Sequence, residues 1–579
     1  MKINSALEIF FIANAAIALN FRQVTVFTSG ADDRPFGFDT DRDGRQNLIL
    51  AHLHCPCVEF WEHIGFDKFM LEDTAQWSQI YDVGYLDADS LVDMVGNSNA
   101  IYPWPLYVYE SPTYNSNPTN IVWMDSGFMN IGDSHITDLD QDGLKEILFG
   151  YTSINNNATC VYENISDNTY ALVWQDTIYT VGNTINGDFD HDGQTEFITG
   201  YPGTWGGLVL IWECVGNDNY ELIFVDTLPQ INIVGDIFAA EDMDGNGKPE
   251  FLFTCVDYFN GRAWLYLYET IGDNNYDFFL VDSITNLPLD IGVQRSTCAD
   301  IDGDGRKEIV WSTFNQWHIY KAIGVHQYQK IYSSEPSEFS DYLVNCWDLN
   351  RNGYPEVIVS WYRNGTPFLE GTTIWEIQGV KILQPNYGYI LHPGESYQII
   401  WQKFDPPGAD SFALFFSSDN GNTYDTIALG IPGGDTTYQW LVPDVISDSC
   451  KIMIWAYGPP RPGENRPRGV AWDFGDFKIR PLGIENDAGY RIHDTGLKIL
   501  QNPVIDGRLK IQYAVPEPSK VKLMIYNVLG QVEQTLFDGY KPAGIYEIET
   551  PKSLTSGVYF VKLFVNEKVI TKKCVILKD

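Results

Sequence analysis

One nine-residue frame recurs through the first two thirds of the chain, and this recurrence constrains the fold more than any other feature. Its clearest copy is Asp300-Ile-Asp302-Gly-Asp304-Gly305-Arg-Lys-Glu308, which runs into the apolar stretch Ile309-Val310-Trp311. The frame returns as Asp39-Asp41-Asp43-Gly44-Asn47, Asp138-Asp140-Asp142-Gly143-Glu146 and Asp188-Asp190-Asp192-Gly193-Glu196. It returns again as Asp242-Asp244-Asn246-Gly247-Glu250 and Asp348-Asn350-Asn352-Gly353-Glu356. A degraded copy, Tyr85-Asp87-Asp89-Ser90-Asp93, lacks the first acid and the glycine. Successive copies start 46 to 58 residues apart.

The residue types at these spacings suit a hard cation. Calcium takes six to eight oxygens at about 2.3–2.6 Å. Oxygens at positions 1, 3 and 5 converge when the backbone curls around an ion, and glycine at position 6 permits the sharp turn. A backbone carbonyl at position 7 and the acid at position 9 complete the set. An EF-hand is excluded, because its closing glutamate stands at position 12. Here position 12 is Phe149, Thr199, Phe253, Trp311 or Val359, each in a short β-rich run rather than a helical one. Ca2+ is therefore the expected structural ion, at several sites.

Each unit carries four strand signals in one order. A strand leads into the loop and an apolar strand follows it. A third strand bears an aromatic–Glu pair: Tyr162-Glu163, Trp212-Glu213, Tyr268-Glu269. A fourth follows a Gly-Asp-Asn-like turn and starts at Tyr170, Tyr220 or Tyr276. A period near fifty with four strands per unit predicts a seven-bladed β-propeller over residues 21–378. The seventh unit has only three strands, so residues 21–28 are expected to supply its fourth and close the ring.

The formal net charge of −40 excludes nucleic acid as a partner, since phosphate binding needs a basic surface. Residues 1–20 read as a signal peptide, with Lys2 before an apolar run and Ala16-Ile-Ala18 as a cleavage site. No later stretch is long and apolar enough for a transmembrane segment. The nine cysteines are scattered, and buried thiols are expected rather than a disulfide framework. His52-Leu-His54-Cys55-Pro-Cys57 holds ligand types for a soft metal such as zinc, but adjacent strand residues point to opposite faces.

The frame followed by an apolar strand at this period resembles the FG-GAP or VCBS repeat, known from integrin α-chain propellers and bacterial surface proteins. The resemblance covers residues 21–378. It implies calcium hairpins on one face and a ligand surface on the other, built by the loops after each second strand. Those loops hold Tyr102 and Trp104, then Trp205, then Tyr258 and Phe259, then Tyr362 and Arg363. Exposed aromatics among Asn and Gly suit an extracellular glycan or protein ligand.

Residues 380–479 lose the frame and show alternating strands such as Tyr397–Trp401, Phe412–Phe416 and Lys451–Trp455. They predict an immunoglobulin- or fibronectin-III-like sandwich. Residues 481–579 form a last small β-sandwich. Asn502-Pro503, Val521–Gln531, Ala543–Tyr546, Leu554–Leu563 and Lys572-Lys573 follow in order. They resemble the type IX secretion C-terminal sorting domain, which implies the type IX secretion machinery as a partner and a secreted or outer-membrane cell-surface location.

The expected function is adhesion or ligand binding by a secreted, calcium-rigidified propeller. An extracellular polysaccharide-degrading enzyme of the lyase kind, or a structural surface-layer component, are the alternatives. Catalysis would need a positioned base and a charge stabiliser. The sequence offers no Ser/His/Asp set, and His52, His54, His135 and His191 do not form one, so no catalytic residue is assigned.

Overall fold

The computed structural model describes residues 19–577 other than 29–34, 52–56, 66, 77–78, 98–104, 127–129, 153–156, 177–183, 202–207, 228–232, 240–241, 258–259, 288–294, 338–339, 364–368, 406, 460–467, 482–495, 505–506, 516–518, 543 and 567. Residues 1–18 of the signal peptide expected over 1–20, and the His52–Cys55 part of the soft-metal candidate, lie outside them. The protein is all-β: every regular element among the described residues is a strand. Two compact units form. The first takes residues 1–379, 404–410 and 456–472, and the second takes 380–403, 411–455 and 473–579.

In the first unit the repeats become four-stranded antiparallel sheets. The fourth repeat is representative. Thr184–Gly187 pairs with Glu196–Tyr201, which pairs with Leu208–Gly216, which pairs with Asn219–Thr227. Six sheets of this kind follow one another, and a seventh is built from Ser340–Trp347, Glu356–Arg363, Leu369–Ile377 and Phe21–Phe27. The expected pairing of the N-terminal strand is present, with Phe21 opposite Ile377 and Phe27 opposite Thr372. Arg22 fastens it, donating to Glu376 Oε2 at 2.5 Å and to Asp67 Oδ2 at 2.7 Å.

The apolar second strands of the repeats sit inside their sheets. Asn47–Ala51, Glu250–Asp257 and Glu308–Thr313 are buried along their whole length, which is why they read as unbroken apolar runs rather than alternating ones. The fourth strands are outer strands, and Lys68–Gln76 is exposed at most positions. Their inward rings pack against the following sheet. Trp174 meets Phe197, Trp212 and Tyr220 at ring distances of 5.5, 5.0 and 5.5 Å, and Phe224 meets Tyr276 at 5.4 Å. The first strands touch in sequence. Phe36–Phe38 contacts Gln79–Gly84, and contacts continue through Asn130–Thr137, Thr184–Gly187, Ile233–Ala239 and Ser296–Ala299 to Ser340–Trp347, which returns to Phe36–Phe38.

The second unit holds four further sheets among the described residues. A three-stranded sheet contains Ser396–Lys403 and Thr437–Leu441, and a five-stranded one contains Ser411–Ser417 and Ser447–Gly458. Trp401 on the first meets Phe412 on the second at 5.5 Å, and Trp440 meets Phe416 at 5.3 Å. Residues 496–576 have a separate core of Leu497, Ile511, Tyr513, Leu523, Ile525, Val561 and Leu563, supplied by the alternate residues of their strands. Cys160, Cys214, Cys255, Cys450 and Cys574 are buried thiols outside any disulfide, as expected. No helix among the described residues is long and apolar enough to cross a membrane.

Candidate metal centres

The frame makes one backbone shape. The glycine at position 6 has φ of 91–95° in all six intact copies: Gly44, Gly143, Gly193, Gly247, Gly305 and Gly353. Position 4 is also left-handed, even where it is Arg42, Gln141, His191 or Arg351. Two such residues curl the loop back on itself.

The loop's own amides then orient its acids. In the fourth repeat Gly193 N donates to Asp188 Oδ2 at 3.2 Å, Asp192 N to Asp190 Oδ1 at 3.2 Å and Gln194 N to Asp192 Oδ1 at 2.7 Å. Phe189 N donates to Glu196 Oε2 at 2.6 Å. Leu139 N does the same for Glu146 and Met243 N for Glu250. Each of these glutamates thus has one oxygen held by the backbone. The other, Oε1, is buried without a partner in Glu146, Glu196 and Glu250.

Two further groups approach the third, fourth and fifth loops, and the spacing within the frame does not reveal either. The first is the glutamate of the third strand. Glu146 faces Glu163, Glu196 faces Glu213 and Glu250 faces Glu269 in cross-strand register. Like charges directly opposite each other are destabilising unless something positive lies with them. The second is a turn of the following sheet. Asp218 N donates to Asp140 Oδ2 at 3.1 Å, Asn274 N to Asp190 Oδ2 at 2.8 Å and His326 N to Asp244 Oδ2 at 2.8 Å. The repeated aromatic–Glu pair and Gly-Asp-Asn turn were the sequence signals for both.

Burial and, after the backbone bond that opposes it, the neighbouring aspartates push the Glu146, Glu196 and Glu250 carboxyls up to about 8. One oxygen from each of Asp138, Asp140, Asp142 and Glu146 lies within 4.8 Å of the others, and the same holds for Asp188, Asp190, Asp192 and Glu196. Ligands on opposite sides of a calcium ion stand about 4.8 Å apart. The third and fourth loops therefore fit the ion on distance and donor type; in the third, Lys145 Nζ stands 3.7 Å from Asp138 Oδ2 and offsets part of the charge.

The remaining loops differ. In the first, Asp39, Asp41 and Asp43 converge. Asn47 Oδ1, however, already accepts from Thr40 N at 3.0 Å, and Arg45 pairs with Glu62. In the fifth, Asp242 and Asn246 accept loop amides, while Asp244, Glu269 and His326 form the convergent group. Glu269 also meets Asn246 Nδ2 at 2.6 Å and Lys248 Nζ at 3.4 Å. In the sixth, Asp302, Asp304 and Glu308 close on the Lys321 ammonium, while Asp300 caps Gly305 N at 3.0 Å. In the seventh, Asp348 caps Gly353 N at 2.8 Å. The Asn350 amide donates to both Glu356 and Glu376, and Asn352 Nδ2 donates to Glu376 Oε1 at 2.8 Å. The degraded copy keeps the curl through Ser90 at φ 72°, and its Asp87 and Asp89 gather with Glu110 and Asp167.

Of the expected ligand face, Tyr102, Trp104, Trp205, Tyr258 and Phe259 lie outside the described residues. Tyr362 is half-buried, its backbone paired between Ser340 and Glu370, and Arg363 ends the same strand opposite Leu369. A different aromatic cleft of about 470 Å³ lies where the N-terminal strand joins the unit, lined by Phe21, Trp317, Tyr332, Trp361 and Trp375 with Glu335 at its edge.

The site and fold together define a repeat-built, exported all-β protein. Residues 242–311, spanning the fifth and sixth loops, match the FG-GAP-like repeat, and residues 499–577 match the secretion system C-terminal sorting domain. The chain carries both modules, and the sorting domain marks it for export to the cell surface or beyond. No curated protein matches the chain. Among solved structures, an Agrocybe aegerita lectin, described for recognition of non-reducing terminal N-acetylglucosamine, aligns over 58% of this chain and 90% of its own, at 15% identity and TM-score 0.36. The S. cerevisiae core factor aligns over 62% of each chain at 11% identity and TM-score 0.36. Fibronectin(III)-like modules of Clostridium thermocellum CbhA align over 34% of this chain and 94% of their own, at 13% identity and TM-score 0.15.

Proposed function

We propose that residues 21–378 form a calcium-bound seven-bladed propeller that presents a binding surface for an extracellular glycan or protein. Residues 380–479 serve as a sandwich-type spacer, and residues 481–579 deliver the protein through the type IX secretion machinery. The cyclic contacts of the first strands and the shared seventh sheet support the propeller. The carrying observation for calcium is the Asp188–Glu196 loop. It gathers four acids, Glu213 faces Glu196 across the strands, and Glu196 Oε1 is buried without a partner. A hard divalent cation supplies the charge such a set lacks.

The ion's role is structural. It joins two strands of one sheet to a turn of the next and so stiffens the scaffold on which the ligand loops stand. Isothermal titration of the chelator-treated full chain with calcium tests the metal. Glycan and extracellular-protein arrays, probed with calcium and with chelator, test the binding. Calcium uptake with calcium-dependent capture is expected. Absence of uptake ends the calcium reading, and uptake without capture on a broad panel ends the adhesion reading.

A further inference from the structure

The third strand carries an acid beside the loop in six repeats: Glu62, Glu110, Glu163, Glu213, Glu269 and Glu376. In the sixth repeat the residue after the aromatic is Lys321. Tyr320 pairs with Ile309, so Lys321 stands beside Glu308 as Glu213 stands beside Glu196. Its ammonium lies 2.8 Å from Asp304 Oδ2 and 3.0 Å from Glu308 Oε1, and it donates to Asp302 Oδ2 as well. These are the oxygens that positions 3, 5 and 9 would offer an ion. The lysine side chain is 15% exposed and the Glu308 side chain 0%. Glu308 Oε1 has this donor, whereas Glu146, Glu196 and Glu250 have none at that atom.

We infer that, between the fourth and sixth repeats, the residue after the aromatic on the third strand selects the cation of its loop, and that in the sixth repeat Lys321 supplies a tethered ammonium in place of a divalent ion. Three donors on one nitrogen match three converging oxygens. A calcium ion at the same point would have to expel a half-buried ammonium from its partners. The fifth and sixth loops lie in the segment that matches the FG-GAP-like repeat, so agreement with that repeat does not by itself count as a metal site. The inference rests on the proposed calcium reading for its divalent half. The lysine half stands on the sixth loop alone.

Two measurements on the full chain test it. Equilibrium dialysis counts bound calcium in the wild type and in three variants. Lys321→Glu gains one equivalent, Glu213→Lys loses one, and Asp302→Asn leaves the count unchanged. No gain in Lys321→Glu, or the loss of an equivalent in Asp302→Asn, overturns the inference. Amine labelling of the wild type, read by mass spectrometry, guards against a variant that does not fold. Lys321 stays protected in calcium and in chelator, and labelling that rises on calcium addition means that the ion displaces it and the inference falls. A wild type that takes up no calcium ends the divalent half together with the proposed function, and Lys321 protection in chelator then decides the other half.

Discussion

The loops at Asp188–Glu196 and Asp300–Glu308 share a frame, a left-handed glycine at position 6 and the same amide caps, yet the third strand brings them side chains of opposite charge. The first faces Glu213 and leaves Glu196 Oε1 bare, and the second holds Lys321. The contrast teaches that the nine residues fix the shape of the cradle, while a residue one strand away sets the charge brought to it. Burial and the Asp302 charge push the Glu308 carboxyl up against the lysine's pull, and burial and the neighbouring aspartates push Glu196 up with no such opposing cation.

The largest test of this comparison is calcium removal. Each site at hundredfold saturation contributes about 2.7 kcal/mol, so several sites give a large fall in Tm on chelation, read by calorimetry. The sixth repeat should resist it. Amide exchange in Glu308–Thr313 should stay slow in chelator while that in Glu146–Thr152 and Glu196–Tyr201 rises; uniform loss would break the contrast.

Next in size is Glu308→Gln, which removes a charged partner of a mostly buried ammonium. It should cost about 1.5–3 kcal/mol in denaturant melts, equally with and without calcium. Glu196→Gln should instead destabilise only in calcium, because in chelator the amide removes a carboxylate that is penalised when charged.

A smaller effect is the pH dependence. The folded metal-free protein holds Glu146, Glu196 and Glu250 near 8, above the ordinary 4.5. Groups raised in this way favour the metal-free fold below about pH 4.5, and that contribution is lost as pH rises through about 8. Calcium competes with the same protons, so the Tm gap between calcium and chelator should widen from about pH 6 to about pH 9. A constant gap would place the ions elsewhere. The smallest expected effect is at Ser90, whose φ of 72° suits glycine. Ser90→Gly should stabilise by less than about 1 kcal/mol in the same melts.

These contrasts also show what could be read in advance. The curl of each loop, the buried second strands and the N-terminal strand's place beside Leu369–Ile377 follow from local residue types and from a missing strand in the count. The pairing of Glu196 with Glu213 depends on strand register, which a repeated aromatic–Glu signal marks without orienting. The reach of Asn274 to Asp190 spans 84 residues and depends on how one sheet meets the next. Asp300–Glu308 keeps every frame position, as Asp138–Glu146 and Asp188–Glu196 do, and its frame alone gives no sign of Lys321 thirteen residues beyond Glu308. The aromatic cleft at Trp317 and Trp375 gathers side chains from distant strands and was not legible.

The antiparallel pairing of Phe21–Phe27 with Leu369–Ile377 sets an order in time. Arg22 meets Glu376 across 354 residues, so Phe21–Phe27 finds its neighbour only after the other strands of the first unit's seven sheets have been made. Until then the seventh sheet has a bare edge, and the first strand stays single, a long-range closure of the kind that makes folding slow. A copy cut short anywhere before residue 369 keeps that edge open and open to pairing with other chains. The clasp therefore acts as a completeness check on the first unit, with only copies that extend through Ile377 able to retire their sticky edge before they meet one another outside the cell.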